Sequence, residues 1–435
     1  MGVCGVNALV EKNDVEEKQN KIMILGASAL QVPAIKKAKE LGYQIILVDY
    51  DENAVGFALA DVKLVVSTLD QEEVYRQALI YQPDVVITST SDGPVRTAAY
   101  VNEKLGKRPD LSYENAICAT IKSKMRDRLR ECGVPIPEYY AAQDFEAFSG
   151  AVDKLNGNCI VKPADNAGSR GVVHLEAVEP TVIRETYEYS LGNARNGTVM
   201  VEEYMHGPEV SVEIMVMDGE PHILAITDKY ITPLPYFVEL AHCEPSRLDA
   251  GTQEEIRKVA AQAVRAIGIE NAPAHVEIKV TEEGPKIVEL AARLGGDFIT
   301  SRLVPLSTGI DMVGASVLLA TGEMPDLTPR RNHGAAIHFI SVGNEPDSCA
   351  LAASEQQGAE REGVIARITV PDTLYEQEGV EEISLYKKPG DAVQGTRSSN
   401  DRLGHVITTG ETQEQAMELG KRVLAQISVE IQYER

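Results

Sequence analysis

The sequence predicts an α/β and α+β multidomain protein: an N-terminal α/β domain with a parallel sheet, a mixed middle region and a C-terminal β-rich domain. Three observations carry that expectation. From Lys21 the chain runs KIMILGA, VPAIKKAKELG and QIILVDY, and strand, helix, strand is the unit of a parallel sheet. Residues 275–290 alternate apolar and polar side chains on either side of Glu282, Glu283 and Gly284, which marks an antiparallel hairpin. After Arg330 come three short apolar runs, AAIHFISV, GVIARITV and GHVITTG. At ~150 residues per domain, 435 residues make about three domains.

Residues 1–20 are charged and aperiodic and are expected to form a mobile tail. Residues 21–114 make the α/β domain, with Asp49 closing its second strand and DVVITST leading to Ser91, Asp92 and Gly93. Gly26 and an acid about 20 residues later invite a dinucleotide reading. The fingerprint fails, because Ala27, Ser28, Ala29, Leu30 and Gln31 supply neither further glycine, so neither NAD nor FAD is expected. Asp92 is a candidate substrate contact, against the plainer reading of a turn residue. A helix is expected over about 115–132, ending at Gly133 before the extended VPIP run.

Residues from about 135 to 204 read as a small α/β lid within a larger unit spanning 115–330. In IVKPADNAGSRGV an apolar strand delivers Lys162, and Asn166, Ala167, Gly168, Ser169, Arg170 and Gly171 form a loop whose amides can approach a polyphosphate closely. No Gly-Lys-Ser/Thr follows, so this is not a Walker loop. In VEEYMHGPEVSVEIMV the Gly207-Pro208 turn precedes a strand with Glu209, Ser211 and Glu213 on one face. That segment is either a hairpin linker or a purine seat, with Tyr204 and Met205 at the base and Glu209 at the ribose. Thr252 to Glu255 reads as a capping box for a helix whose stripe of Ile256, Val259, Ala260, Ala263, Val264 and Ile267 is core. Residues from 331 to 435 are expected to form the β-rich cap, closed by a helix that Thr412 introduces.

The hairpin carries the sharpest chemistry. A three-residue loop centred on Glu283 pairs Glu277 with Glu289, on one face of the sheet. Like charges so placed repel, so a cation between them is expected, and oxygen-only ligation suits magnesium. By the same argument Glu289→Gln is expected to stabilise the metal-free protein. Arg293, Gly295 and Gly296 follow within a turn, a cation and open backbone for an anionic substrate. The bland alternative is a solvated acidic hairpin.

Together these segments resemble the ATP-grasp superfamily, in order from Lys21 to the C-terminus, and ELAARLGGD resembles its L-amino-acid ligase branch. The resemblance implies ATP and Mg2+ as cofactors, Lys124 and Lys162 at the phosphates, and Glu202, Tyr204, Met205 and Glu209 as hinge and ribose contacts. It also implies Glu277 and Glu289 as metal ligands and Arg293 as the arginine of the last motif. Ser169 joins the phosphate loop and Lys229 adds a local cation; Arg293 and Lys162 are the expected catalytic groups, with Asp92, Gly295 and Gly296 beside the substrate. Ala291 stands where many members carry asparagine. DRLGHVITTGETQEQA is similar to the closing motif of carboxylase-like members.

The activity this implies is ATP-dependent ligation of a carboxylate to an amine through an acyl phosphate, releasing ADP, with a dipeptide-like product. Alternatives are carboxylation of a substrate with bicarbonate through carboxyphosphate, or a nucleotide-binding regulator without turnover, which Ala291 motivates. A net charge of −24 argues against nucleic-acid or anionic-membrane partners and leaves small molecules, with a homodimer compatible. Six scattered cysteines without a CxxC pair, no basic leader and no long apolar run together imply a cytoplasmic protein with reduced thiols. His242 and Cys243 are adjacent in a strand, point to opposite faces, and read as structural.

Overall fold

The computed structural model describes residues 20–107, 110–166, 168, 170–176, 179–232, 234, 237–342 and 362–433. The expected tail, apart from Asn20, lies outside the described residues, as do Ser169, Cys4 and Cys349. Four sheets organise the described chain. The first is parallel, in the order Val62–Val65, Gln44–Asp49, Lys21–Leu25, Val85–Ile87. Its central strands are unbroken apolar runs because helices pack on both faces. Val62–Val65 escapes the sequence reading because only Leu64 of that edge strand is buried. After Val85–Ile87 the chain turns through Asp92 into helix Gly93–Lys104.

Where the sequence predicts one helix over 115–132, the chain forms two, Tyr113–Thr120 and Lys122–Glu131. Ile121 between them is extended, with φ −116° and ψ 110°. The Lys122 amide therefore leaves the helical ladder and donates to the Ala164 carbonyl at 2.8 Å. That break ties the second helix to the strand bearing Lys162. A four-stranded sheet follows, in the order Tyr139–Ala142, Val199–Glu203, Asn158–Pro163, Val173–Glu176, all antiparallel. Helices Phe145–Lys154 and Pro180–Gly192 cover it, with Phe148, Val161, Ile183 and Val201 among its core residues.

The body is an eight-stranded antiparallel sheet in the order Gly284–Ala291, Pro273–Thr281, Glu209–Met217, Glu220–Ile231, Glu239–Glu244, Gly334–Ile340, Gly404–Gly410, Val380–Leu385. Five strands precede position 331 and three follow it, so the hydrogen-bonded sheet crosses the expected cap boundary without a break. The cap has its own small sheet as well, Ala392–Val393, Gly363–Thr369, Ser428–Tyr433. On one face of the large sheet Val210, Val212, Ile214, Val276 and Ile278 pack against helix Ala250–Ile267. Asp249 caps that helix, accepting from the Gly251 and Thr252 amides, so it starts two residues before the expected capping box. Its predicted apolar stripe is buried.

The opposite face is polar, which follows from period-two alternation: Glu209, Ser211 and Glu213 oppose Lys279, Glu277 and His275 in the register of the neighbouring strand. Among the described residues no single helix is long and apolar enough to cross a membrane.

The turn before Glu209 is sterically closed. Gly207 has φ 130°, and a Cβ there would lie 1.9 Å from the Val280 carbonyl oxygen, while the Val280 amide donates to Pro208 O at 2.9 Å. Gly207→Ala is expected to destabilise the protein by about 2–4 kcal/mol, read as a lower Tm with a parallel loss of nucleotide-induced stabilisation. An unchanged Tm would mean that this turn relaxes freely.

Candidate active site

The hairpin Pro273–Thr281 and Gly284–Ala291 places Glu277 opposite Glu289, by a different route from the one the sequence suggests. Thr281 pairs with Gly284, which leaves a two-residue loop, and the register then shifts between Ile278 and Glu277. Val288 is the extra residue of this β-bulge, and its insertion brings the two acids level. Arg126, 1% exposed, holds the bulge: its guanidinium donates to the carbonyls of Ile287 at 3.1 Å and Val288 at 2.8 Å.

Each acid of the pair has its own cation. Lys122 Nζ lies 2.7 Å from Glu289 Oε1 and donates to Asn166 O at 2.9 Å. Lys229 Nζ lies 2.7 Å from both Glu277 Oε1 and Glu209 Oε1, and Lys279 reaches Glu209 at 3.4 Å. Burial opposes ionisation of Glu277, but Lys229 and His275 hold its carboxyl well below the usual range. The repulsion expected between Glu277 and Glu289 is thus already compensated by lysines.

Glu202 anchors the other side. Arg126 donates to its two oxygens at 2.9 Å each, and Lys162 Nζ lies 2.7 Å away. Against a burial penalty, the charges of Arg126 and Lys162 bring Glu202 down to about 2. Burial draws Lys162 itself below the usual ammonium range, with Arg126 and Lys122 adding to the effect and Glu202 opposing it.

Except for Arg126 and His275, these residues line an open cleft between the lid sheet and the eight-stranded sheet. Of the residues expected to hold nucleotide, Lys162, Glu202, Tyr204, Met205, Glu209 and Lys229 line it, as do Glu277 and Glu289. Ile160, Val172, Met205, Phe237 and Val288 give it apolar walls that suit a purine. Lys124 is exposed and does not line the cleft; Lys122 does. Residues two apart on a helix point about 200° apart, so only one of these lysines can face the acids. Lys122, Lys279 and Arg126 are functional candidates that the sequence reading missed.

A second, open cavity continues from the first and shares Gly168, Lys229, Glu239, Glu277 and Glu289 with it. Asp92, Arg293 and Gly296 line it, together with His242, His275 and Asp297. Arg293 Nε and Nη2 donate to the two oxygens of Asp92 at 2.9 and 3.1 Å. Asp92 therefore orients Arg293 across the interface with the N-terminal sheet. Gly295 is not part of the lining: a Cβ there would lie 2.7 Å from His275 Nδ1 and 2.8 Å from both oxygens of Glu213, so it lets the loop lie on that buried pair. His275 Nδ1 and Glu213 Oε1 are 2.6 Å apart. Burial disfavours the charged ring, yet the charge of Glu213 lifts His275 to about 9. His242, read from the sequence as structural, also lines this cavity, with Nε2 3.3 Å from Asp297 Oδ2.

The donor set around Glu277 and Glu289 fits magnesium. The two carboxylates are opposed oxygen ligands facing a cleft. Among the described residues no group of three or more His, Cys, Asp or Glu is arranged to hold a metal ion.

The chain is similar to known proteins along most of its length. Residues 155–301 match the ATP-grasp domain and residues 358–432 the L-amino acid ligase C-terminal domain 2. The chain is 27% identical over 311 residues to uncharacterized protein y4rH of Sinorhizobium fredii, covering 70% of this chain and 60% of that one. It is 25% identical over 342 residues to the L-arginine-specific L-amino acid ligase of Bacillus subtilis, covering 77% of each. The L-amino acid ligase structure from Bacillus licheniformis superposes with a TM-score of 0.77 at 20% identity, over 95% of this chain and 100% of that one.

Two outcomes follow from the charges. Glu289→Gln strips Lys122 of its carboxylate partner and is expected to lower the stability of the metal-free protein by roughly 1–3 kcal/mol, the reverse of the sign that repulsion alone suggests; thermal melts without metal check it. The second concerns Glu244, which is fully buried on the same sheet face and accepts from Thr227 Oγ1 at 2.8 Å and Ser307 Oγ at 2.6 Å. Burial raises its carboxyl to about 8, against the pull of those two hydroxyls. A raised folded-state pKa means that the folded protein keeps a proton the unfolded chain releases above about 4.5, so stability falls as pH rises from about 4.5 to 8. Glu244→Gln is expected to flatten that decline and to gain a few kcal/mol on the order of magnitude at pH 9, with little change at pH 4; urea melts at the two pH values give the comparison.

Proposed function

Because the chain carries an ATP-grasp domain and a C-terminal domain of the L-amino acid ligase type, and so belongs to the ATP-grasp superfamily, we propose that it is an ATP-dependent carboxylate-amine ligase that forms an amide through an acyl phosphate. The observation that supports this most is the junction of the two cavities. They meet at Lys229, Glu239, Glu277 and Glu289, where the terminal phosphate of a nucleotide in the first would face a carboxylate in the second.

In this reading Met205 and Tyr204 flank the base, Glu209 accepts from the ribose, and Lys122 and Lys162 bind phosphate oxygens. Glu277 and Glu289 hold magnesium, which when bound neutralises phosphate charge and polarises the terminal phosphoryl group. Arg293, oriented by Asp92, stabilises charge where the phosphoryl group is transferred. A substrate carboxylate oxygen attacks the γ-phosphorus as the bond to ADP breaks. The amine nitrogen then attacks the acyl carbon, the carbon-oxygen bond to phosphate breaks, and the amine gives up a proton. The lid's part is to exclude water from the acyl phosphate. A product made from two L-amino acids is the specific form of this proposal, supported by the C-terminal domain match.

A screen of L-amino acid pairs for phosphate release, with product mass as readout, tests the reading. ADP and phosphate are expected, with one oxygen of a labelled carboxylate appearing in the phosphate. Label in AMP would establish adenylation instead. Release that requires bicarbonate and no other acid would move the assignment to carboxylation, and nucleotide binding without turnover over the whole panel would leave a regulator.

A further inference from the structure

The wall of the second cavity bends in a way that its own residues do not favour. Asp297 and Phe298 are consecutive non-glycine residues in the left-handed region, at φ 50° and 61°, where each costs roughly 1–2 kcal/mol. Such a bend persists only when its surroundings over-determine it. The groups that hold it come from the C-terminal part of the chain. Arg402, 3% exposed, donates from Nη1 to Asp297 Oδ1 at 2.8 Å and from Nη2 to Oδ2 at 3.0 Å. The same guanidinium donates from Nε to the Glu239 carbonyl at 3.1 Å and from Nη2 to Glu239 Oε2 at 2.8 Å, and it lies 3.7 Å from the centre of the Phe339 ring. The Phe298 ring rests on His405 at 4.5 Å, and His405 Nδ1 is 2.6 Å from Tyr386 Oη.

We propose that Arg402 is a positioning residue for the substrate cavity: it acts through Asp297, fixing the residue 296–299 wall against Glu239, and so sets affinity for the second substrate independently of nucleotide. A lysine cannot reproduce the role, because only a planar guanidinium grips two carboxylates and a carbonyl at once. Asp297, with its charge balanced by Arg402, remains a hydrogen-bond acceptor on the cavity side, where a substrate ammonium or amide can meet it. On the nucleotide side, Lys229 Nζ lies 3.9 Å from Glu239 Oε1, a contact that does not involve Arg402.

The proposal rests on the ligase reading only for the identity of the substrate. With the L-amino acid pair that gives the fastest phosphate release, Arg402→Met is expected to raise the KM for amino acid at least tenfold. Binding of a non-hydrolysable ATP analogue with magnesium, measured by calorimetry, should stay within threefold of wild type. Arg402→Lys should recover part of the KM loss, and Asp297→Asn should reproduce it with Arg402 intact. A merely structural arginine would weaken nucleotide and amino acid alike, and that result, or a KM within twofold, would overturn the proposal. If Arg402→Met does not fold, the lysine and asparagine variants carry the same comparison. If no amino acid pair supports turnover in the wild type, the ligase reading fails by itself. Hydrogen exchange then decides for Arg402→Lys: faster exchange over 296–303 with the 160–166 segment unchanged supports it, and unchanged exchange at 296–303 overturns it.

Discussion

The buried guanidinium of Arg126 is the constraint on which the rest of the site depends. Within one side chain it joins the helix Lys122–Glu131, the strand that carries Glu202, and the bulged strand that carries Glu289. Its contacts with Ile287 and Val288 satisfy carbonyls of the sheet's edge strand, and an unsatisfied buried carbonyl costs about 1–3 kcal/mol. Without that compensation the bulge would be unfavourable, and without the bulge Glu277 would face Val288. Glu202, held from both sides, draws Lys162 to the same point. One buried ion cluster therefore sets the lid strand, the hinge and the acid pair relative to one another.

On the polar face of the large sheet, charge is balanced side chain by side chain. Lys122 serves Glu289, Lys229 serves Glu277 and Glu209, Arg293 serves Asp92, and Arg402 serves Asp297 and Glu239. Burying so many carboxylates is tolerable only because each has a partner at hydrogen-bonding distance. Under the proposed function, a nucleotide with its metal would enter by exchange of partners, phosphate for carboxylate at the lysines and metal for lysine at the acids. The ion pairs of the cleft are then rearranged rather than newly created.

What was legible in the sequence was local and periodic. Alternation placed Glu209, Ser211 and Glu213 on one face, and the symmetry of the hairpin paired Glu277 with Glu289, although the loop length was off by one and the bulge restored the pairing. Helix phase was less readable. Nothing in IKSKMRDRLRE marks the break at Ile121, and without it Lys124 is as plausible as Lys122. Lys279 looked like ordinary alternation because a strand pattern says which face a residue takes, not what shares that face. Arg402 was out of reach altogether, since its partners Glu239 and Asp297 lie 163 and 105 residues away. The strand Val380–Leu385 was missed for a related reason: it is an edge strand whose residues are all at least partly exposed, so it lacks an apolar signature. The parallel N-terminal sheet, by contrast, announces itself in unbroken apolar runs.

The strand order of the large sheet also bears on how the protein is made. Glu239–Glu244 takes its outer partner from Gly334–Ile340, so roughly 90 residues must be translated between the two. At typical elongation rates that interval is roughly 5–20 s. Throughout it, a strand whose last five residues are buried in the finished fold presents an open edge to whatever strand is nearest. Nascent chains on neighbouring ribosomes offer the same edge at the same time. The yield of correctly folded protein is then set by competition between completing the chain and pairing with a neighbour, and slower synthesis through residues 245–334 would shift that competition toward aggregation.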